Sequence, residues 1–283
     1  MSQSFPSVVS DDAIQAIPRD MTSVAEIMDW NNLMETYAAG NATPMPPAMA
    51  IDSQEAARYV DLYNAFMAAT LADEYDYVHY VRFRSTVTVF GKYLEAAGKI
   101  VELGGDSRIG VFSAHALGAD YRSYGAELRD RFALPDAGFD CVLCLEVIEH
   151  LKDTLASETT IERIASFNYS GVMNLLSESY RILAPGGVML ISTPNAISVD
   201  VIAKVMRGEY PHHFDPHVRE MAPRQVKAFG ERVGFVLEEY GTFFAWTSSD
   251  DAERAAILEF ISQQGHDASN RGDDAFYVFR KPL

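Results

Sequence analysis

The sequence is poor in cysteine, in basic residues and in long apolar runs. Of its 283 residues only Cys141 and Cys144 are cysteine, both within the apolar run 139–145. Strand side chains three apart point to opposite faces, so a metal shared by these two is not expected. They read as core thiols of a reducing compartment. Lys and Arg number 23 against 40 Asp and Glu, giving a formal charge of −17. No basic cluster interrupts that excess. Such a surface repels phosphate backbones and anionic membranes, which argues against nucleic acid as a partner and favours neutral or cationic ones. No apolar run is long enough to cross a bilayer. The first residues also lack the basic-then-apolar order of a secretion signal, so a cytoplasmic location is expected.

What is present is an ordinary apolar fraction of 48%, enough for one large α/β domain with an appendage. The stretch 25–40 has apolar residues at helical spacing and ends in a glycine stop. A Pro-rich connection follows over 41–53, then one or two Tyr- and Met-rich helices over 55–83. Residues 1–90 are read as an N-terminal helical extension or cap, and residues 91–283 as the main domain.

From Lys99 onward strands alternate with helices, the pattern of a mostly parallel sheet. Strands are expected at 99–103, 120–128, 139–145, 188–196, 235–246 and 274–283. Helices are expected at 109–117, 161–183, 222–234 and 250–265, with Ala184–Gly187 stopping the second of these.

Four stretches carry chemistry. KIVELGGDS ends a strand in Gly104 and Gly105, where a ligand can approach backbone N–H groups; alone, it is equally an ordinary tight turn. Glu127 follows near the distance at which an acid reaches the ribose of a nucleoside bound at the first loop. The run FDCVLCLEVIEHL carries a buried strand into Glu146, Glu149 and His150. RILAPGGVMLISTPN is a helix, a reversal and a second buried strand.

In this order the four resemble the class I S-adenosylmethionine-dependent methyltransferases, the methyltransferase 11/23 type that includes ubiquinone-pathway and sugar O-methyltransferases. The resemblance covers Gly98 to about Tyr240, and EVIEHL and LAPGGVMLISTPN are its most specific parts. It implies a Rossmann-like, seven-stranded sheet flanked by helices. It implies S-adenosylmethionine held by Glu102, Gly104, Gly105 and Asp106, its ribose at Glu127, Asp130 near the adenine, and Leu145 and Glu146 at the border. Asp106 and Arg108 stand where that family's loop usually has glycines.

The expected reaction is O-methylation of a small-molecule or sugar-like acceptor. His150 or His217 would take the hydroxyl proton, since an imidazole titrates near neutrality. Glu146, Glu149 and His150 lie at helical i, i+3, i+4 spacing. With His217 they form a set able to hold a divalent ion, as in the similar small-RNA 2′-O-methyltransferases. The metal-free reading is favoured, because many relatives with an EVIEH-like segment work without one. The stretch 154–174 is longer than usual and would shape a lid or a homodimer contact. Two rivals remain. One is a non-catalytic interaction protein with a degenerate loop. The other is a dinucleotide-dependent oxidoreductase, disfavoured by the lack of a full G-x-G-x-x-G.

Overall fold

Phe139–Leu145 (β3) lies at the centre of a six-stranded sheet, and every residue in it but Asp140 is buried. A strand covered on both faces reads as a continuous apolar run rather than an alternation. The computed structural model describes residues 44–46, 48–153, 170–246 and 250–283. The helix expected over 25–40 lies outside them, as does the insertion expected over 154–174 as far as residue 169.

In chain order the elements begin with α1 (Ser53–Ala69), α2 (Glu74–Val78) and α3 (Tyr80–Ala96). There follow β1 (Lys99–Leu103), α4 (Arg108–Leu117), β2 (Asp120–Tyr124), β3, α5 (Ser170–Ile182) and β4 (Leu183–Pro194). The chain closes with α6 (Val199–Met206), α7 (Pro223–Val233), β5 (Val236–Phe243), α8 (Asp251–Gln263) and β6 (Asp274–Arg280). The strand order is β2-β1-β3-β4-β6-β5. β1 pairs in parallel with β2 and β3, β3 pairs in parallel with β4, and β6 runs antiparallel to both its neighbours.

Six strands stand among the described residues where seven were expected. The chain between Glu127 and Phe139 is too short for another helix and strand. It is tied instead to the end of α5: Ala137 and Gly138 donate to the carbonyls of Arg181 and Ile182. The Arg181 guanidinium donates in turn to the carbonyls of Phe132 and Leu134. β2 is therefore the edge of the sheet. The Ala184–Gly187 stretch also differs from expectation. α5 stops at Ile182, and the chain enters β4 at once through a register irregularity, with Gly186 at φ 78°.

Alternation along the strands sorts the core into two clusters. Val142, Cys144, Ile191 and Tyr277 face α5 and α7, whereas Cys141, Leu143, Phe276 and Val278 face α1, α3 and α4. The two thiols thus lie on opposite faces, and burial pushes both well above the ordinary thiol range. The second cluster contains Tyr63, Phe83, Phe90 and Phe112, each contributing about 1.5–3 kcal/mol by burial. Phe90 meets Phe276 edge-to-face with ring centres 5.6 Å apart. α3 crosses residue 90, and its residues on both sides of that point pack on the same sheet face.

Candidate active site

Every parallel strand points its carboxyl end at one edge, and there β1 stops at Leu103 and gives way to Gly104 and Gly105. Both adopt positive φ, 98° and 128°, which a side chain resists. A Cβ on Gly104 would approach Val147 Cγ2 to 2.6 Å, while one on Gly105 would meet nothing within 4 Å. Gly104 is thus needed for packing, and Gly105 faces open space. Ser107 then caps α4 by accepting from the amides of Ile109 and Gly110.

Glu102 anchors this turn from below. Its carboxylate is buried and accepts from the Ser107 amide at 2.9 Å and the Tyr121 hydroxyl at 2.6 Å. Burial raises its pKa. Gly110 lets α4 lie this close, since a Cβ there would come within 2.3 Å of Glu102 Oε2.

A cavity of about 460 Å³ opens above the turn, within the usual range for small-molecule sites. Of the residues expected to hold cofactor, Glu102, Gly104, Gly105, Asp106, Leu145 and Glu146 line it. Its opposite wall comes from α2, α3 and the turn before them, as Leu71, Asp73, Tyr75, Asp76, Arg82 and Phe83. These wall residues escaped sequence reasoning, because they lie in the Tyr-rich stretch assigned to packing. Asp106 and Arg108 do not block the space: Asp106 lies 3.0 Å from the Tyr121 hydroxyl. Arg108 donates to Thr70 Oγ1 and the Leu71 carbonyl and approaches Asp76 to 3.2 Å.

Glu127 and Asp130 are not on the cavity wall. Glu127 is half exposed, and its carboxylate takes two bonds from the Arg129 guanidinium and one from the Arg129 amide. Those bonds hold its pKa down to about 2.

A second group of titratable side chains follows one turn beyond Glu146, also off the cavity wall. Glu149, His150 and His217 bring one donor atom each within 4.8 Å of one another. Glu149 is fully buried; one carboxylate oxygen accepts from Thr193 Oγ1 at 2.9 Å, and the other, Oε1, has no hydrogen-bond partner. Burial and then the charge of Glu146 push its pKa up strongly. His150 is half exposed and meets His217 edge-to-face at 4.8 Å. Burial and then His217 lower its pKa. Glu220 holds His217 Nδ1 at 2.6 Å, which fixes that ring's tautomer and aim. Glu146 is not in this group. Its backbone sits at φ 54°, and its carboxylate turns to the Ser192 hydroxyl at 2.5 Å. The helical spacing of the sequence therefore overstates the set, because only Ile148–His150 form a helical turn, a 3₁₀ one.

A glycine turn after the first strand of a mostly parallel sheet, with a buried acid beneath it and a cavity above it, stands at the carboxyl edge where open α/β sheets carry their ligand sites. A family model described as a methyltransferase domain matches residues 75–240, more than half the chain. The chain belongs to this family, the class I S-adenosylmethionine-dependent methyltransferases. The chain is also similar to a probable S-adenosylmethionine-dependent methyltransferase of Mycolicibacterium smegmatis, 33% identical over 106 residues. That match covers 38% of this chain and 32% of the relative, so it spans about a third of the relative's length. A SAM-dependent methyltransferase from Archaeoglobus fulgidus has a similar fold, with TM-score 0.50 and 16% identity over 74% of this chain and 100% of that one. No helix among the described residues is long and apolar enough to cross a membrane.

Proposed function

We propose that this chain transfers the methyl group of S-adenosylmethionine to a hydroxyl of a small-molecule or sugar-like acceptor. The carrying observation is the cavity over Gly104–Gly105. It is lined by five acids, Asp73, Asp76, Glu102, Asp106 and Glu146, against the two guanidiniums of Arg82 and Arg108. S-adenosylmethionine brings a sulfonium and an ammonium, and an acidic wall favours both. Glu102, Gly104, Gly105 and Asp106 would hold its amino-acid part, with Leu145 and Glu146 beside the sugar and base. Glu127 would clasp the ribose after releasing Arg129, and Asp130 would stand near the adenine. The helices before residue 90 would stand over both ligands as a cap.

The donor supplies the chemistry: an acceptor oxygen lone pair attacks the methyl carbon as the carbon–sulfur bond breaks. The protein aligns the two molecules and removes the hydroxyl proton. His150 is the base in this reading, with His217 steadied by Glu220 beside it. A second reading is favoured by the unpartnered Glu149 Oε1. Glu149, His150 and His217 offer one oxygen and two nitrogens, a donor set suited to a divalent ion that would acidify the acceptor hydroxyl.

Calorimetric titration with S-adenosylmethionine tests the first claim, with micromolar binding expected. The absence of heat and of any thermal shift would instead favour a non-catalytic interaction protein. Labelled methyl transfer after exhaustive chelation then decides between base and ion.

A further inference from the structure

Beyond the glycine turn, toward α2 and β6, lies a corner rich in buried polar groups without partners. Asp274 opens β6, opposite Pro194 of β4 and Phe243 of β5. By strand alternation it shares a face with Phe276 and Val278, the face that packs against α3. It is 0% exposed, and neither carboxylate oxygen has a hydrogen-bond partner. Burial, and then the charge of Glu146, pushes its carboxyl well above the ordinary carboxylate range, and no ion pair joins it to Arg82 among the described residues. A buried acid left this way stays neutral until a cation arrives to pair with it, since ionising it unpaired costs several kcal/mol. It is the kind of group that a ligand completes.

The donors nearby are equally unsatisfied. Arg82 is 4% exposed and donates from Nη2 to the Tyr75 hydroxyl at 3.1 Å, but its Nε has no partner. Its guanidinium lies 5.2 Å from the centre of the Trp246 ring, whose Nε1 is also unpaired. Arg82 and Tyr75 line the cavity, whereas Asp274 and Trp246 stand behind that lining, so the corner is reached through Arg82.

We propose that this corner recognises the methyl acceptor and selects a small molecule carrying an ammonium group beside an oxygen, of the amino alcohol or amino sugar type. The ammonium sits on the Asp274 carboxylate, with Glu146 adding to the field. The neighbouring oxygen accepts from Arg82 Nε and Trp246 Nε1. A neutral polyol would leave Asp274 buried and uncompensated, and an anion would meet five acids on the way in. This inference rests on the methyltransferase reading and narrows its acceptor.

The test uses the full chain saturated with S-adenosylhomocysteine and follows thermal shifts with matched probes. These are 2-aminoethanol against ethylene glycol, and glucosamine against glucose. Each amine is expected to bind at least about tenfold more tightly than its hydroxyl counterpart, the usual worth of a charge-assisted hydrogen bond. Asp274→Asn should erase that preference while S-adenosylhomocysteine affinity stays within about twofold. Should Asp274→Asn fail to fold, Trp246→Phe keeps the ring, removes the N–H and should weaken both amines severalfold. Equal or tighter binding of the neutral probes, no binding of either amine, or an unchanged preference in the variants would overturn the proposal. A wild-type chain that does not bind S-adenosylhomocysteine at all would sink the methyltransferase reading itself, which separates the two failures.

Discussion

Arg108 at the start of α4 reaches across to Asp76 in α2, 3.2 Å from Nε to Oδ2. The approach is an ion pair off the hydrogen-bond direction, since Nε has no hydrogen-bond partner. The same Asp76 oxygen accepts from the Asp73 amide in the capping box of α2. Arg108 also covers the Phe66 ring at 4.8 Å. One side chain thus fastens the helices before residue 80 to the turn that carries Gly104. Arg108→Met should destabilise the fold by about 3 kcal/mol in urea denaturation, because it leaves Asp76 buried without its cation. Arg108→Lys should recover only part, since one ammonium cannot reach both Thr70 and Asp76.

The two glycines of the turn should separate by context. Gly104→Ala forces a positive-φ alanine against Val147 and should lose about 2 kcal/mol or more. Gly105→Ala meets no protein atom, so it should cost only the backbone strain, yet place a methyl in the cavity and weaken S-adenosylmethionine at least tenfold. Denaturation curves beside calorimetry distinguish the two. Equal stability losses would mean the Val147 contact relaxes freely.

Glu127→Ala should weaken cofactor binding by about tenfold if the ribose is held there. The competing bond to Arg129 is solvent-exposed, so Arg129→Ala should leave affinity unchanged or tighten it by less than about fivefold. An unaltered dissociation constant in Glu127→Ala would remove that residue from the site.

His150→Ala should lower turnover about a hundredfold or more while leaving cofactor affinity nearly intact. Wild-type turnover should survive exhaustive chelation. Loss on chelation, with recovery on adding Mn²⁺ or Mg²⁺, would reassign Glu149, His150 and His217 as ligands of an ion.

How much of this was legible depended on distance along the chain. β3 was readable to the residue, because a strand buried on both faces announces itself and Glu146 ends it. β1 with its glycine turn was as plain, and six of the expected cofactor residues do line one cavity. The seventh strand was a family expectation that the short span between Glu127 and Phe139 could not accommodate. The i, i+3, i+4 arithmetic misplaced Glu146, since it assumed a helix where the backbone turns through positive φ. Arg82 and Trp246 come together only through tertiary packing, as does the buried Asp274 with the Arg82 charge that acts on it. The one local signal was Asp273 and Asp274 standing directly before the wholly apolar AFYVF, two acids where a strand is about to be buried.

The helix α3 reaches from the cavity wall into the sheet's own core, where Phe90 touches Phe276. It therefore cannot swing as a hinged door without unpacking the domain. The short stretch from Thr70 to His79, held by the Arg108 clasp and by the Arg82 bond to Tyr75, is the part of that wall that can shift without unpacking the sheet. In the proposed reaction, the residence time of a spent cofactor would then follow how often those two guanidiniums let go.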